Sequence, residues 1–153
     1  MKTKVSILFV TLFVVGLLLS ACAKAADPDP NSAKPSNTGG TGKALLLTGD
    51  PVKGKDVFVR KCQTCHGNDG IGGIANDGSD DGTVPPLNPI DDTMVNKDPK
   101  VFAANIDLFV EHGSTPKGSG PAKLMTAWGD TKQLTDQDIA DVIAYVISLN
   151  PAK

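Results

Sequence analysis

The sequence predicts a small all-α domain of three to four helices in the C-terminal two-thirds of the chain. Three observations carry that expectation. Apolar residues recur at helical spacing in two segments, near 99–113 and 136–149, and Gly54 and Phe58 share one helical face in a third, near 51–61. Each segment opens on a helix-start signal: Asp50 before Pro51, Asp98 before Pro99, and Thr135 with Asp138 three residues on. No alternating run of strand length lies between them, and the connecting stretches are dense in Gly, Asp and Pro.

The first 21 residues read as an export signal, to be set aside from fold reasoning. Lys2 and Lys4 form a positive start, and Val5 to Leu18 is an apolar run interrupted by Ser6, Thr11 and Gly16. Leu19-Ser20-Ala21-Cys22 follows and resembles the lipobox of bacterial lipoproteins. That resemblance implies cleavage before Cys22 and a lipid on its thiol. The expected location is outside the cytoplasmic membrane of a bacterium, anchored by lipid. In a Gram-negative cell this is the periplasmic face, with the outer membrane favoured because Ala23 follows the cysteine. In a Gram-positive cell it is the outer face of the cell membrane.

Residues 22–48 read as a lipidated N-terminus and flexible linker. Asp27 to Ser32 and Pro35 to Gly40 hold almost no apolar side chains to offset ordering. Such a tether has an r.m.s. span of about 25–30 Å and extends to about 90 Å. Without Lys2 and Lys4 the chain has 13 basic and 17 acidic side chains, a net charge of −4. That balance excludes a basic nucleic-acid binder.

The folded unit is expected over 49–153. Its first helix runs from Pro51 to about Lys61, with Gly54 and Phe58 on one face. A glycine inside a helix costs about 1 kcal/mol relative to alanine. Its presence predicts close approach of another helix, expected to be the last one. The helix delivers Cys62-Gln63-Thr64-Cys65-His66, which reads as a c-type haem attachment site. Two thiols at this spacing can add to the two vinyl groups of one porphyrin. The histidine that follows then lies under the ring as proximal iron ligand. A zinc site would need a second Cys or His pair, and a redox dithiol expects a preceding strand; the sequence offers neither. With lipid on Cys22 and haem on Cys62 and Cys65, no cysteine remains for a disulfide. The domain is poor in large side chains (Phe58, Phe102, Phe109, Trp128 and Tyr145), so haem is expected to supply much of its apolar body.

Residues 67–98 form a long loop. Asp77-Gly78-Ser79-Asp80-Asp81-Gly82 begins like a calcium loop, but Asn88 stands where the twelfth, acidic ligand belongs, so a solvated acidic loop is expected. The second helix carries the stripe Phe102, Ile106, Phe109 and Val110, and the last carries Ile139, Val142, Ile143, Val146 and Leu149. Candidates for the second axial ligand are Met125, Met94 and His112. The last has an alternative role, an imidazolium at a helix C-terminus. Trp128 offers an indole N–H to a haem propionate or an apolar face to the ring edge.

Taken together, these motifs resemble a class I c-type cytochrome, a monohaem bacterial lipoprotein, over about residues 50–150. Gly54-x-x-x-Phe58 and Val142-x-x-Tyr145 resemble the family's helix-crossing residues. Pro85-x-Leu87 resembles the segment whose proline carbonyl accepts a hydrogen bond from the proximal histidine and whose leucine packs on the ring. Met125 stands where the family places its distal sulfur. Thr126 departs from the proline that usually follows, and the loop before Pro85 is longer than the family's minimal form. The resemblance implies one covalent haem c on Cys62 and Cys65, ligated by His66 and Met125, with Pro85, Leu87 and Trp128 in its pocket. It implies an electron carrier rather than an enzyme. Expected partners are redox proteins such as a quinol-oxidising complex, a terminal oxidase or a reductase, together with the membrane through the lipid. The alternatives are a haem subunit fixed in an oxidase or reductase complex, and a sensor or peroxidase-like protein with an open distal site. Lys53, Lys55, Arg60 and Lys61 against Asp56 give residues 53–61 a charge of +3, and seven Asp against Lys97 give residues 67–98 a charge of −6. A basic docking patch beside the attachment edge follows.

Overall fold

The computed structural model describes residues 24–151. The signal segment and Cys22 lie outside them. Among the described residues four α-helices follow in order: α1 (Pro51–Lys61), α2 (Gln63–His66), α3 (Pro99–His112) and α4 (Asp136–Leu149). Single turns of 3-10 helix stand at Lys43–Leu46 and Asn68–Gly70. The described residues contain no strand, only two isolated bridges, Ala75 with Thr83 and Ser114 with Met125. None of their helices is long and apolar enough to cross a membrane.

The helix starts are those expected. The Asp50 carboxylate accepts from the Val52 amide at 2.9 Å, and Asp98 does the same for Lys100 at 2.9 Å. Thr135 and Asp138 cap each other reciprocally. Each cap satisfies amides that a helix start leaves unpaired, worth about 1 kcal/mol apiece.

Helices α1 and α4 cross at Gly54. A methyl group built there would stand 1.9 Å from the Asp141 carbonyl oxygen and 2.9 Å from Tyr145 Cβ. Only a residue without a side chain lets the two backbones approach this closely. One turn on, Phe58 and Tyr145 stack with ring centroids 5.2 Å apart, tilted by 58°. Val57, Phe58, Ile106, Phe102, Ile139, Val142, Ile143 and Val146 close the core between α1, α3 and α4.

The expectation of a flexible linker over 22–48 does not match the described part of that segment. Residues 29–46 run as a strap over the polar side of α3. The Asp29 amide donates to Asn105 Oδ1 at 2.8 Å, and Asn96 Nδ2 donates to Asp29 Oδ2 at 3.0 Å. Asn37 Nδ2 donates to the His112 carbonyl at 2.7 Å, and the Gly42 amide to Asp107 Oδ2 at 2.6 Å. Ala44 then enters the core. The physical reason is that ordering comes from polar partners rather than apolar burial. Asn105 and Asp107 have no exposed surface, and without the strap their side chains would lack these partners.

Candidate haem site

The end of α1 and the short α2 set the attachment motif. The Cys62 amide donates to the Phe58 carbonyl at 2.8 Å, so the motif continues directly from the crossing helix. Cys65 and His66 both donate their amides to the Cys62 carbonyl, at 3.0 and 2.9 Å. The five residues therefore coil as one helical turn, which puts Cys62, Cys65 and His66 on neighbouring positions of one side. Both thiols are free and half-buried. Burial, reinforced by the neighbouring Cys65, pushes the Cys62 thiol up to about 12. A redox dithiol needs a thiolate near neutral pH, and Cys62 does not supply one.

His66 is oriented from outside the motif. Its Nδ1 donates to the Pro85 carbonyl at 2.9 Å. A carbonyl only accepts, so Nδ1 carries the hydrogen and Nε2 is left with a free lone pair. Burial holds the ring below its ordinary range, partly offset by that hydrogen bond, and so favours the neutral imidazole that binds a metal. The Pro85 carbonyl is itself fixed by its flanks. Val84 donates to Ile74 at 2.8 Å and Leu87 to Gly70 at 2.7 Å.

The other wall comes from the segment between α3 and α4. α3 ends on Gly113, whose φ of 66° lies in the left-handed region. A methyl group there would stand 2.4 Å from the Met125 carbonyl oxygen. Ser114 and Met125 exchange backbone hydrogen bonds at 3.1 and 2.9 Å. Trp128 donates its amide to Val110 at 3.0 Å, and Lys61 Nζ lies 5.6 Å from its ring centroid. That cation–π contact ties the Met125–Trp128 segment to the end of α1 beside Cys62.

The residues fit a flat apolar prosthetic group. Cys62, Leu87, Met125 and Trp128 each pack on the core yet stay half-buried, so the polypeptide alone does not cover them. Exposed Ile71 and Leu124 add further uncovered apolar surface in the loops on the two sides. The side chains here that could hold an iron are His66, through its free imidazole nitrogen, and Met125, through its thioether.

Of the other ligand candidates, Met94 is buried in the core, its carbonyl held by Asn105 at 2.8 Å. His112 is occupied at both nitrogens: Nδ1 faces Asp130 Oδ2 at 2.8 Å and Nε2 faces the Gly40 carbonyl at 2.8 Å. Both partners accept, so His112 is an imidazolium latch for the strap. Burial disfavours its charge, but the Asp130 and Gly40 bonds and the charges of Asp130 and Glu111 outweigh that and raise it above the ordinary range.

Sequence reasoning passed over three arrangements. Tyr145, expected at the helix crossing, also donates its hydroxyl to Asp69 at 3.0 Å, and Lys55 Nζ stands 3.6 Å from the same oxygen. Asp107 and Glu111 sit under the strap. Asn76 reaches from the acidic loop to Lys123. All three join residues distant in sequence, and only the odd placement of Asn105 and Asp107 in an otherwise apolar helix hinted at a cover for α3.

The family model described as Cytochrome c matches residues 51–150. The chain belongs to the cytochrome c family. Its cofactor is covalently bound haem c, one in a domain of this kind, and its function is haem electron transfer. Two curated relatives are each described as the cytochrome c subunit of a quinone alcohol dehydrogenase, from Gluconacetobacter polyoxogenes and Komagataeibacter europaeus. Each is 29% identical over 120 residues, covering 77% of this chain and 21% of the relative. The chain thus spans about a fifth of the length of the curated relatives it matches. No solved structure matches it.

Proposed function

We propose that this cytochrome c domain is a single-electron carrier whose haem is bonded to Cys62 and Cys65 and ligated by His66 and Met125. The observation that carries the reading is the 2.9 Å bond from His66 Nδ1 to Pro85, which presents Nε2 as a neutral ligand beside the two thiols. Haem iron held between an imidazole and a thioether passes single electrons and leaves no open position for substrate. Leu87 and Trp128 shield the site from water, and the Ser114–Met125 backbone pairing holds the sulfur's segment in place. Cys22 carries the lipid and anchors the domain outside the cytoplasmic membrane. Export and covalent haem attachment require the same compartment, which is why the two motifs support one another.

The relatives favour a second reading of the partner. They are named as cytochrome c subunits of an oxidoreductase, so a place in such a complex is the alternative to a free shuttle. Co-purification with a membrane dehydrogenase, oxidase or reductase at constant stoichiometry supports the complex; isolation as a separate lipidated protein supports the shuttle.

Ligation is tested by absorption spectra of ferric and ferrous holoprotein, with and without CO, for the wild type and Met125→Ala. A thioether-to-Fe(III) band in the red that disappears in the variant, without CO binding to the wild type, is the expected result. Ready CO binding by the wild type and no such band would move the protein to the sensor or peroxidase-like class.

A further inference from the structure

The acidic stretch of residues 67–98 is not simply a solvated loop. Its middle folds back on itself. Val84 donates to Ile74 and Asn76 to Gly82, both at 2.8 Å, and Gly82 donates to Ser79 at 3.0 Å. Asp81 closes the turn by accepting from the Ser79 hydroxyl and from the Thr83 amide.

One side chain leaves this turn inward. Asn76 is only 4% exposed. Its Oδ1 accepts from the Lys123 amide at 2.8 Å, and its Nδ2 donates to the Lys123 carbonyl at 3.1 Å. One amide thus satisfies both backbone polar groups of Lys123, as a neighbouring strand would. Lys123 Nζ returns to the Ala75 carbonyl. The two loops also meet backbone to backbone: a methyl group on Gly78 would stand 2.5 Å from Ala122 Cα.

Lys123 is two residues before Met125. On its other side, Met125 is paired with Ser114. The segment 123–125 is therefore gripped at both ends, by Asn76 and by Ser114. Residue 126 is Thr, so no proline ring fixes the backbone after Met125 and the grip must come from outside the segment.

We infer that Asn76 is a positioning residue for the distal iron ligand, its amide clamping the Lys123 backbone and thereby setting where the Met125 sulfur stands. The inference rests on the reading of Met125 as ligand. It also gives the long loop before Pro85 a task, as a brace joining the proximal side of the site to the distal one.

The test uses full-length holoprotein carrying Asn76→Ala, Asn76→Asp or Ser79→Ala. Asn76→Asp keeps the acceptor for the Lys123 amide but turns a second acceptor toward its carbonyl. Ser79→Ala breaks a bond within the turn and leaves Lys123 untouched. Readouts are the red thioether band, the CO-reactive fraction of ferrous protein and the reduction potential, with helical circular dichroism confirming the fold. Loss of two hydrogen bonds predicts a rise of about tenfold or more in the CO-reactive fraction of Asn76→Ala. A weakened band and a lower potential should accompany it, while Asn76→Asp is intermediate and Ser79→Ala matches the wild type. If Asn76→Ala does not fold, Asn76→Asp decides by the same readouts. A folded variant with wild-type band, potential and CO reactivity overturns the clamp and leaves the ligation reading standing. Equal effects of Ser79→Ala and Asn76→Ala overturn it as well, since loop disruption alone would then suffice. A wild type without the band overturns the ligation reading and the clamp with it.

Discussion

Replacing Asp107 by asparagine should stabilise the protein at alkaline pH and lose most of that advantage as pH falls toward 4. Asp107 lies under the strap with no exposed surface. Its Oδ2 accepts from the Gly42 amide at 2.6 Å, but Oδ1 has no partner, and neither has the buried Oε2 of Glu111. A methyl group on Gly42 would stand 2.7 Å from that Glu111 oxygen and 3.4 Å from Asp107 Oδ1, so both orphan oxygens flank the same strap residue. Burial raises the Asp107 carboxyl to about 6; the Gly42 bond and the His112 charge pull it down, and the charges of Glu111 and Asp136 push it further up. Glu111 is raised too, first by burial. A carboxyl raised from 3.8 to about 6 binds its proton more tightly in the folded state. The folded state is therefore favoured most below 3.8, and that advantage is lost as pH rises to about 6. The shift corresponds to an upper figure of about 3 kcal/mol. Asparagine keeps an oxygen for Gly42, carries no charge, and turns an N–H toward the orphan carboxylate side. Urea unfolding of full-length holoprotein at pH 4.5 and pH 8 should show the Asp107→Asn variant more stable than the wild type by about 1 kcal/mol at the first and by about 2–3 kcal/mol at the second. A variant destabilised equally at both values would refute the reasoning, because Asp107 would then act through shape or hydrogen bonding and not through its buried charge.

His112→Ala should cost about 2–3 kcal/mol at pH 6, from one charged and one neutral hydrogen bond, with the charged one discounted because Asp130 is half exposed. The His112 contribution is fully present below 6.5 and fades as pH rises through its raised folded value, so the deficit of the variant should shrink on the alkaline side of a urea series. Gly54→Ala should lose about 3 kcal/mol or fail to fold, read as a drop in thermal midpoint, because its methyl group meets the Asp141 carbonyl of the crossing helix. Lys53, Lys55, Arg60 and Lys61 are all exposed, and electron-transfer rates to an acidic partner should fall as ionic strength rises; a flat salt dependence would remove the basic docking patch.

The parts of this molecule legible in its sequence are those specified locally. Asp50-Pro51, Asp98-Pro99 and the Thr135–Asp138 box each fix a helix start within four residues. The Cys62–His66 motif carries its own chemistry, and Gly54 announced a helix crossing because a glycine inside an amphipathic helix needs a reason. The strap was misread for an equally physical cause. Apolar poverty predicts disorder only if polar groups find no fixed partners, and Asn105, Asp107 and His112 supply them from about 70 residues away in the chain. Asn76 was invisible on the same account, as one polar residue in a loop of polar residues until Lys123 stands beside it.

The strap also sets the length of the leash. A free chain between Cys22 and the first helix would let the haem search a volume tens of ångströms deep. Here Asp29 is already pinned to α3, and Lys24, Ala25 and Ala26 line a groove of about 410 Å³ with Ala44, Ala140 and Ile143. Seven residues could extend about 25 Å at most. With lipid on Cys22, as proposed, the domain would ride close against the bilayer. Its encounters would then be governed by lateral drift in two dimensions and by which flank it turns outward, rather than by reach.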